Sequence, residues 1–265
     1  MSRSLRSQFF LTGPRPCPYL PDRRERKLFT NLVGGRAEAL HDDLAQLGFR
    51  RSQNIAYRPA CQGCSACVST RVPVRDFTPT RSQKRVAKRN ADLIRVATAP
   101  SPRMEHYQLF QRYLQARHAG GGMVDMDMFD FAAMVEDSPV RTHLIEYRAP
   151  KADQTPQGAA EIAATPNEER APRLTTIDDA IACCVTDVLR DGLSLVYSFF
   201  EPAQERRSLG RFIILDHIEF ARSLNLDYVY LGYWVRGSRK MDYKIEFQPS
   251  EVLEENKWVR FQNTE

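Results

Sequence analysis

AIACCVTDVL (Ala180–Leu189), Arg190-Asp191-Gly192, LSLVYSFF (Leu193–Phe200), SLGRFIILDHIEFARS (Ser208–Ser223) and DYVYLGYW (Asp227–Trp234) follow one another in the last third of this chain. The first run is apolar and β-branched, as a strand is, and Asp-Gly is a turn signal before a second strand of the same kind. Together they read as a hairpin. Leu209, Phe212, Ile213 and Phe220 then recur at helical spacing, with Ser208 placed to cap the helix. A further strand, 227–234, closes the unit. Adjacent residues of a strand point to opposite faces, so Cys183 and Cys184 read as core packing on two sides of one sheet.

Upstream, 142–147 (THLIEY) reads as a strand and 93–97 as a short one. Met104, Tyr107, Phe110 and Leu114 mark one helix face; Met128, Phe131 and Val135 mark a second, shorter one. From residue 91 the order is strand, helix, helix, strand, strand, strand, helix, strand. That order resembles the GNAT acyltransferase fold, an α+β class in which helices flank a mixed sheet, here over residues 76–265. Within it, 149–176 is rich in Ala, Pro, Gln, Glu and Thr, with prolines at 150, 156, 166 and 172. Such a stretch buries too little apolar surface to offset its ordering entropy, so a mobile insertion without chemistry is expected there. Residues 1–75 are loop-rich, with prolines at 14, 16, 18, 21, 59 and 73 and four cysteines. They read as a small cysteine-containing N-terminal domain packed on the larger one.

The 265 residues are 42% hydrophobic and 27% charged, an ordinary globular balance that permits a sizeable core. No apolar run approaches the roughly 18 residues of a membrane span. The apolar stretch after the basic first residues is too short for a secretory signal. A soluble, cytoplasmic protein without a membrane partner is expected. The net charge of +5 allows a nucleic-acid partner without demanding one. Its distribution says more: 71–95 holds eight Arg and Lys against Asp76 and Asp92.

Four stretches could carry chemistry. Cys61-x-x-Cys64-x-x-Cys67 places three thiols on one tight loop, and Cys17 could supply a fourth. Four thiolates suit a tetrahedral zinc or an iron–sulfur cluster; buried free thiols or a reversible redox pair fit the same spacing. Second, Arg81, Lys84, Arg85 and Lys88 fall at i, i+3, i+4 and i+7, which puts four cations on one helix face, and Arg89 follows. Their mutual repulsion is offset by an anionic partner, phosphate or carboxylate, or relieved by solvent. Third, Glu201–Phe212 joins a strand to a helix N-terminus, where free N–H groups bind phosphate or a developing oxyanion. CoA-using acyltransferases typically carry Q/R-x-x-G-x-G/A here. Arg207 and Gly210 fit, whereas Phe212 occupies the last small position and is expected to crowd a CoA pyrophosphate. An ordinary capped helix fits as well. Fourth, Gly232-Tyr233-Trp234 and Lys240–Lys244 interleave aromatics with lysines, which suits stacking on bases and pairing with phosphates, or a half-buried strand edge. His217 reads as core-lining, and no histidine pairs with a Ser or Cys in a nucleophile motif.

These residues resemble the arginyl/leucyl-tRNA–protein transferase family of the N-degron pathway, whose bacterial branch comprises the aspartate/glutamate leucyltransferases. The marks are Cys17-Pro-Tyr19-Leu-Pro21, Tyr57-Arg-Pro59-Ala-Cys61, Arg81-Ser-Gln-x-x-Arg85-Val-x-x-Arg89-Asn90, Asp137-Ser-Pro139, Val196–Pro202, Ser208-Leu-Gly210, Leu231-Gly-Tyr233 and Lys240-Met-x-Tyr243-Lys244. The resemblance implies an enzyme that transfers leucine from Leu-tRNA to the N-terminal amine of proteins beginning with Asp or Glu, marking them for degradation. It needs no cofactor for the reaction. Family members can hold an iron–sulfur cluster on N-terminal cysteines; here Leu20 stands where the first pair would have its second cysteine. On this reading Glu201 accepts the amine's proton; Arg81, Arg85, Lys88 and Arg89 hold the acceptor's carboxylate. Arg207, Ser208, Gly210, Trp234, Lys240, Tyr243 and Lys244 meet the aminoacyl-tRNA. Cys17, Cys61, Cys64 and Cys67 are the metal candidates. The alternatives are an arginyl donor with the same acceptors, a CoA-dependent GNAT acetyltransferase, and a non-catalytic tRNA-binding metal module.

Overall fold

A computed structural model describes residues 8–150 and 177–262. In chain order its strands and helices are β1 (Phe10–Leu11), β2 (Arg15–Pro16), β3 (Arg24–Glu25), β4 (Lys27–Asn31), α1 (Ala37–Gln46), β5 (Arg50–Ser52), β6 (Ile55–Pro59), β7 (Cys67–Pro73), α2 (Arg81–Arg89) and β8 (Ile94–Thr98). Then come α3 (Met104–Arg117), α4 (Met128–Glu136), β9 (Thr142–Pro150), β10 (Ile177–Val188), β11 (Gly192–Phe200), α5 (Leu209–Ser223), β12 (Tyr228–Val235), β13 (Glu251–Glu254) and β14 (Lys257–Arg260). Short 3-10 segments cover Pro202–Arg207 and Arg239–Glu246. The expected insertion at 149–176 lies, beyond its first two residues, outside the described residues.

The centre is an eight-stranded sheet in the order β14-β13-β7-β12-β11-β10-β9-β8. Its pairs are antiparallel except β11 with β12, so the sheet is mixed. Period-two alternation sends Ala182, Cys184, Leu193, Leu195, Val229 and Leu231 to one face, where α5 covers them with Leu209, Phe212, Ile213 and Ile218. Cys183, Val185 and Phe199 face the other side and pack on Leu109, Phe110 and Leu114 of α3 and Phe131 and Val135 of α4. Helices therefore flank the sheet on both faces, and the two adjacent cysteines are buried on opposite sides as their alternation predicts. His217 is fully buried within α5 and meets Thr186 (2.9 Å) and the Ile213 carbonyl (2.8 Å). Burial pushes its pKa down to about 4.

The N-terminal residues build a second, four-stranded sheet, β1-β4-β6-β5, with α1 beside it. The segment 67–73, at the end of the stretch read as N-terminal, runs as β7 between β12 and β13 of the large sheet.

Both sheets are tied by Asp187 at the end of β10. Arg51 of β5 donates to its two oxygens at 2.7 Å each, Thr142 donates at 2.7 Å and His41 of α1 lies 3.1 Å away. Burial alone would raise this carboxyl's pKa; hydrogen bonds from His41 and Arg51, with their charges, outweigh it and hold it at about 2. A pKa below the unfolded value of about 3.9 means that the stabilisation is present above that pH and is lost as pH falls towards 2. Asp187→Ala leaves Arg51 buried without its carboxylate, and breaking such a pair costs about 3–5 kcal/mol. Denaturant unfolding at pH 7 should show that loss, and the difference from wild type should shrink between pH 5 and 2. A pH-independent difference would refute the assignment.

Candidate active site

The parallel pair β11/β12 is joined only at its beginning: Gly192, Leu193 and Ser194 pair with Tyr228, Val229 and Tyr230. Beyond that point the strands part, although β11 runs on to Phe200 and β12 to Val235. Each carries an irregularity at this level. β11 has an extra residue, Val196, opposite the Val185/Thr186 step of β10, and β12 has Leu231 extra between the pairs that Tyr230 and Gly232 make with β7. A bulge flips side-chain parity and leaves backbone groups unpaired. The parting strands thus expose carbonyls in a protein interior, where an orphaned acceptor is costly.

Two cations fill the gap. Arg50 of β5 donates from Nη2 to the carbonyls of Leu195 (3.1 Å) and Val196 (2.8 Å). Lys244, from the segment 239–246, donates from Nζ to those of Leu231 (2.7 Å) and Tyr233 (3.0 Å). Gly232 makes the approach possible. A Cβ there would lie 2.5 Å from Arg50 Nε and 2.6 Å from Nη1, and its φ of +75° is one that L side chains rarely adopt. Burial first, then Arg50's charge, pulls the Lys244 pKa well below 10.5.

The C-terminal end of β11 leads into the start of α5. Ser208 stands at the cap position with φ +53°, but its side chain makes no cap hydrogen bond, contrary to the expected capping role. The N–H groups of Leu209 and Gly210 have no partner among the described residues, so two backbone donors remain available at this helix end. Gly210 lies close to Phe200, whose ring a Cβ would meet at 3.2 Å. Around this end gather Tyr113, whose ring centroid is 4.9 Å from Phe200 and 5.5 Å from His118, and Tyr243, close enough to Tyr113 to act on its titration. Burial, then Tyr243, pushes Tyr113 up to about 12. Burial, then Lys240 and Arg117, lowers His118. Phe212 departs from its expected place. Its side chain is buried against Tyr147 with centroids 5.4 Å apart, so it does not crowd the helix end.

The other candidates divide into engaged and free. Glu201 is engaged at both oxygens, by Arg112 Nε (2.9 Å) and the Ala203 N–H (3.3 Å). Arg207 is neutralised by Asp92 through two 2.8 Å bonds, and Trp234 Nε1 donates to Asp242 (3.1 Å). Lys244 is buried, while Lys240 is exposed. On α2, Gln83, Val86 and Asn90 face the protein: Gln83 reaches the Glu246 carbonyl (3.2 Å) and Asn90 the Arg207 carbonyl (2.8 Å). Arg81, Lys84, Arg85 and Lys88 lie on the opposite, exposed face. Arg89 turns back to the Arg206 carbonyl. The cations of α2 thus flank the start of α5 but point to solvent.

The four cysteines do come together. Cys17, Cys61, Cys64 and Cys67 line one cavity of about 80 Å³ with Tyr19, Tyr57 and Tyr233. Burial, then Cys61, Cys17 and Cys64, pushes the Cys67 thiol up to about 12. They line the wall without closing on a point: among the described residues no three His, Cys, Asp or Glu side chains are grouped as a metal ligand set. What local sequence did not reveal is Arg50. It sits in an ordinary-looking Gly-Phe-Arg-Arg run, where alternation along a short strand sends Arg51 to Asp187 and its neighbour the other way.

Parting strands, a helix start with free N–H groups and surrounding cations have the chemistry that acyl transfer needs, a candidate site for it. The chain belongs to the arginine-tRNA-protein transferase family and is an aminoacyltransferase: the family's C-terminal region matches residues 105–254 and its N-terminal region residues 15–85. It is 56% identical to an aspartate/glutamate leucyltransferase of Methylobacterium sp. (strain 4-46) over 253 residues, 96% of each chain. It is 54% identical to one of Paracoccus denitrificans (strain Pd 1222), over 95% of this chain and 84% of that one. Among solved structures, the C-terminal domain of an Agrobacterium fabrum protein described as a lysylphosphatidylglycerol synthetase covers 83% of this chain and 59% of its own. That match has 12% identity and a TM-score of 0.42, a likeness too slight to carry weight.

Lys244→Met keeps the aliphatic length and removes both donors to the β12 bulge. An unsatisfied buried acceptor costs about 1–3 kcal/mol, so urea unfolding should show a loss in that range. An unchanged midpoint would mean that Lys244 does not hold the bulge.

Proposed function

We propose that this enzyme moves leucine from Leu-tRNA to the α-amine of proteins that begin with Asp or Glu, marking them for degradation by the N-end rule, in the cytoplasm. Its fold on this reading is a GNAT-like acyltransferase domain with a small cysteine-containing N-terminal module. No described helix is long and apolar enough to cross a membrane. The observation that carries the reading is the parted β11/β12 pair beside the open start of α5, in a chain whose relatives are named for this transfer.

The ester arrives already activated, so the protein's work is positioning and charge stabilisation. The acceptor amine attacks the leucyl carbonyl carbon. The amide bond forms, the C–O bond to the terminal ribose breaks, and the ribose oxygen leaves as a hydroxyl. The Leu209 and Gly210 N–H groups and the adjoining turn face the oxyanion that develops. An α-amine titrates near 7.7–8.0 and must lose a proton to attack. Glu201 accepts one hydrogen bond on each oxygen, from Arg112 and the Ala203 N–H, and keeps a further lone pair on each to take it; the acceptor's own carboxylate or the ribose's vicinal hydroxyl would serve the same step. Exposed Lys240, near enough to His118 to act on its titration, and half-buried Trp234 suit the tRNA acceptor end. Of the residues expected to hold the acceptor's carboxylate, Arg81, Arg85 and Lys88 point outward with Lys84 and suit tRNA phosphates better, while Arg89 is held on the Arg206 carbonyl. The arginyl donor remains the second reading, because the family is named for arginine-tRNA.

Transfer of label from Leu-tRNA, and not Arg-tRNA, to peptides headed by Asp or Glu is the expected result; no transfer to any acid-headed peptide rejects the function. Replacing Arg81, Lys84, Arg85 and Lys88 by Gln should raise KM for Leu-tRNA and flatten its log–log salt dependence, by roughly 0.9 for each phosphate no longer neutralised. Glu201→Gln, if that carboxylate is the proton acceptor, should lower kcat on the order of 100-fold or more; a smaller effect assigns the step to substrate.

Cys17, Cys61, Cys64 and Cys67 supply the donor chemistry for an iron–sulfur cluster or zinc, and their shared cavity fits that use once the thiols draw together. Such a group would brace the N-terminal module, and the transfer reaction has no redox step for it. Protein purified without air should carry one equivalent of cluster or zinc by metal analysis and lose it in Cys64→Ser. Four freely titrating thiols and no metal would refute this.

A further inference from the structure

Arg50 is a half-buried guanidinium that faces no carboxylate among the described residues. Its neighbours in the fold show the contrast: Arg51 is paired with Asp187, Arg71 with Glu251, Arg95 with Asp216 and Arg207 with Asp92. Arg50 instead spends Nη2 on two carbonyls of the β11 bulge, and its Nε and Nη1 have no hydrogen-bond partner among the described residues. The second basic group in the gap, Lys244, has no carboxylate partner among the described residues either. Two basic groups share the gap, and Arg50's charge reaches Lys244, Tyr243, Tyr233 and Tyr19. A cation held away from bulk water without a counter-charge is destabilising unless an anion completes it.

The placement is built. Gly232, with its positive φ, lets Arg50 lie here, since any Cβ at that position would clash with Cζ, Nε and Nη1. The Tyr233 ring lies 5.8 Å from Cζ on the side of the cysteine cavity. Both bidentate edges of a guanidinium include Nη2, which the two carbonyls occupy, so a carboxylate here takes single charge-assisted hydrogen bonds from Nη1 or Nε. On α2 the cations are fully in solvent, where water and salt compete for any single carboxylate.

We propose that Arg50, seated where β11 and β12 part, binds the side-chain carboxylate of the acceptor's N-terminal Asp or Glu and so sets the preference for acidic chain ends. This rests on the transfer reaction above. The carboxylate of Asp or Glu lies one or two methylene groups from the α-carbon that bears the attacking amine. Gripping it in the gap therefore fixes the attacking amine beside the β11 bulge, on the strand that leads to the start of α5. An Asn or Gln head has the same shape without the charge and leaves Arg50 uncompensated.

The test compares peptides headed by Asp, Glu, Asn and Gln. Wild type shows whether the transfer reading holds at all: failure with every acid-headed peptide sinks that reading, not this assignment alone. Given wild-type transfer, Arg50→Gln retains an amide donor for the Leu195 and Val196 carbonyls and removes the charge. The Asp-over-Asn ratio of kcat/KM should fall on the order of 10- to 100-fold, mainly through the peptide KM, with the Leu-tRNA KM unchanged. Arg50→Lys should recover part of the ratio. An undiminished ratio overturns the proposal. If Arg50→Gln does not fold, wild-type protein decides. Modification of Arg50 by an arginine-directed dicarbonyl, read by mass spectrometry, should be suppressed by an Asp-headed peptide and not by its Asn-headed twin. Equal modification in both overturns the assignment.

Discussion

The rest of this structure depends on how two parallel strands are allowed to separate. A sheet normally satisfies its own backbone; β11 and β12 stop doing so after three residue pairs. The carbonyls they release, at Leu195, Val196, Leu231 and Tyr233, lie inside the protein and are met by Arg50 and Lys244. Side-chain cations from two different segments thus replace a missing ladder. The exchange keeps the gap open, where a hydrogen-bonded strand would have closed it, and leaves it positively charged.

That arrangement explains why the N-terminal residues are wrapped over the large sheet. Arg50 belongs to β5 of the small sheet and can reach the gap only if that sheet is held in register with β10. The neighbouring Arg51, locked bidentately to Asp187, fixes that register. One dipeptide therefore does two things in opposite directions: one arginine anchors a module and the other is delivered to the site. Gly48, with φ +79° and its Cβ position within 2.9 Å of the Ser69 hydroxyl, lets the chain enter β5 tightly against β7. The Ser69 hydroxyl and the Tyr233 hydroxyl both donate to the Gly48 carbonyl (2.8 and 2.9 Å), so β7, β12 and the turn before Arg50 share one hydrogen-bonded point.

Charge is spread over the surface by a different rule. Arg207 and Arg211 beside the start of α5 carry acidic partners, Asp92 and Glu246, whereas the outward row on α2 carries none among the described residues. Paired arginines hold local shape. An unpaired, exposed row gives a diffuse field that suits a polyanion and discriminates poorly between single carboxylates. The distinction separates gripping a long phosphate backbone from reading one acidic side chain.

By itself the sequence determined which segments are strands and helices from residue 91 to the strand ending near 234, because their apolar periods of two and 3.6 are legible locally; the short β13 and β14 beyond it carry too few residues to show a period. It also determined that Cys183 and Cys184 face opposite ways, that His217 is a core residue, and which family the spaced motifs resemble. Only the tertiary structure decided where the cations act. The helical spacing of Arg81, Lys84, Arg85 and Lys88 puts them on one face in any fold, but Gln83 and Asn90 decide that the face looks outward. Phe212 reads as crowding the helix end until Tyr147, distant in sequence, draws it into the core. Arg50 and Lys244 are 194 positions apart and meet through bulges whose existence depends on register between strands. Local pattern carries no information about register across a sheet, since pairing is a long-range event decided by packing.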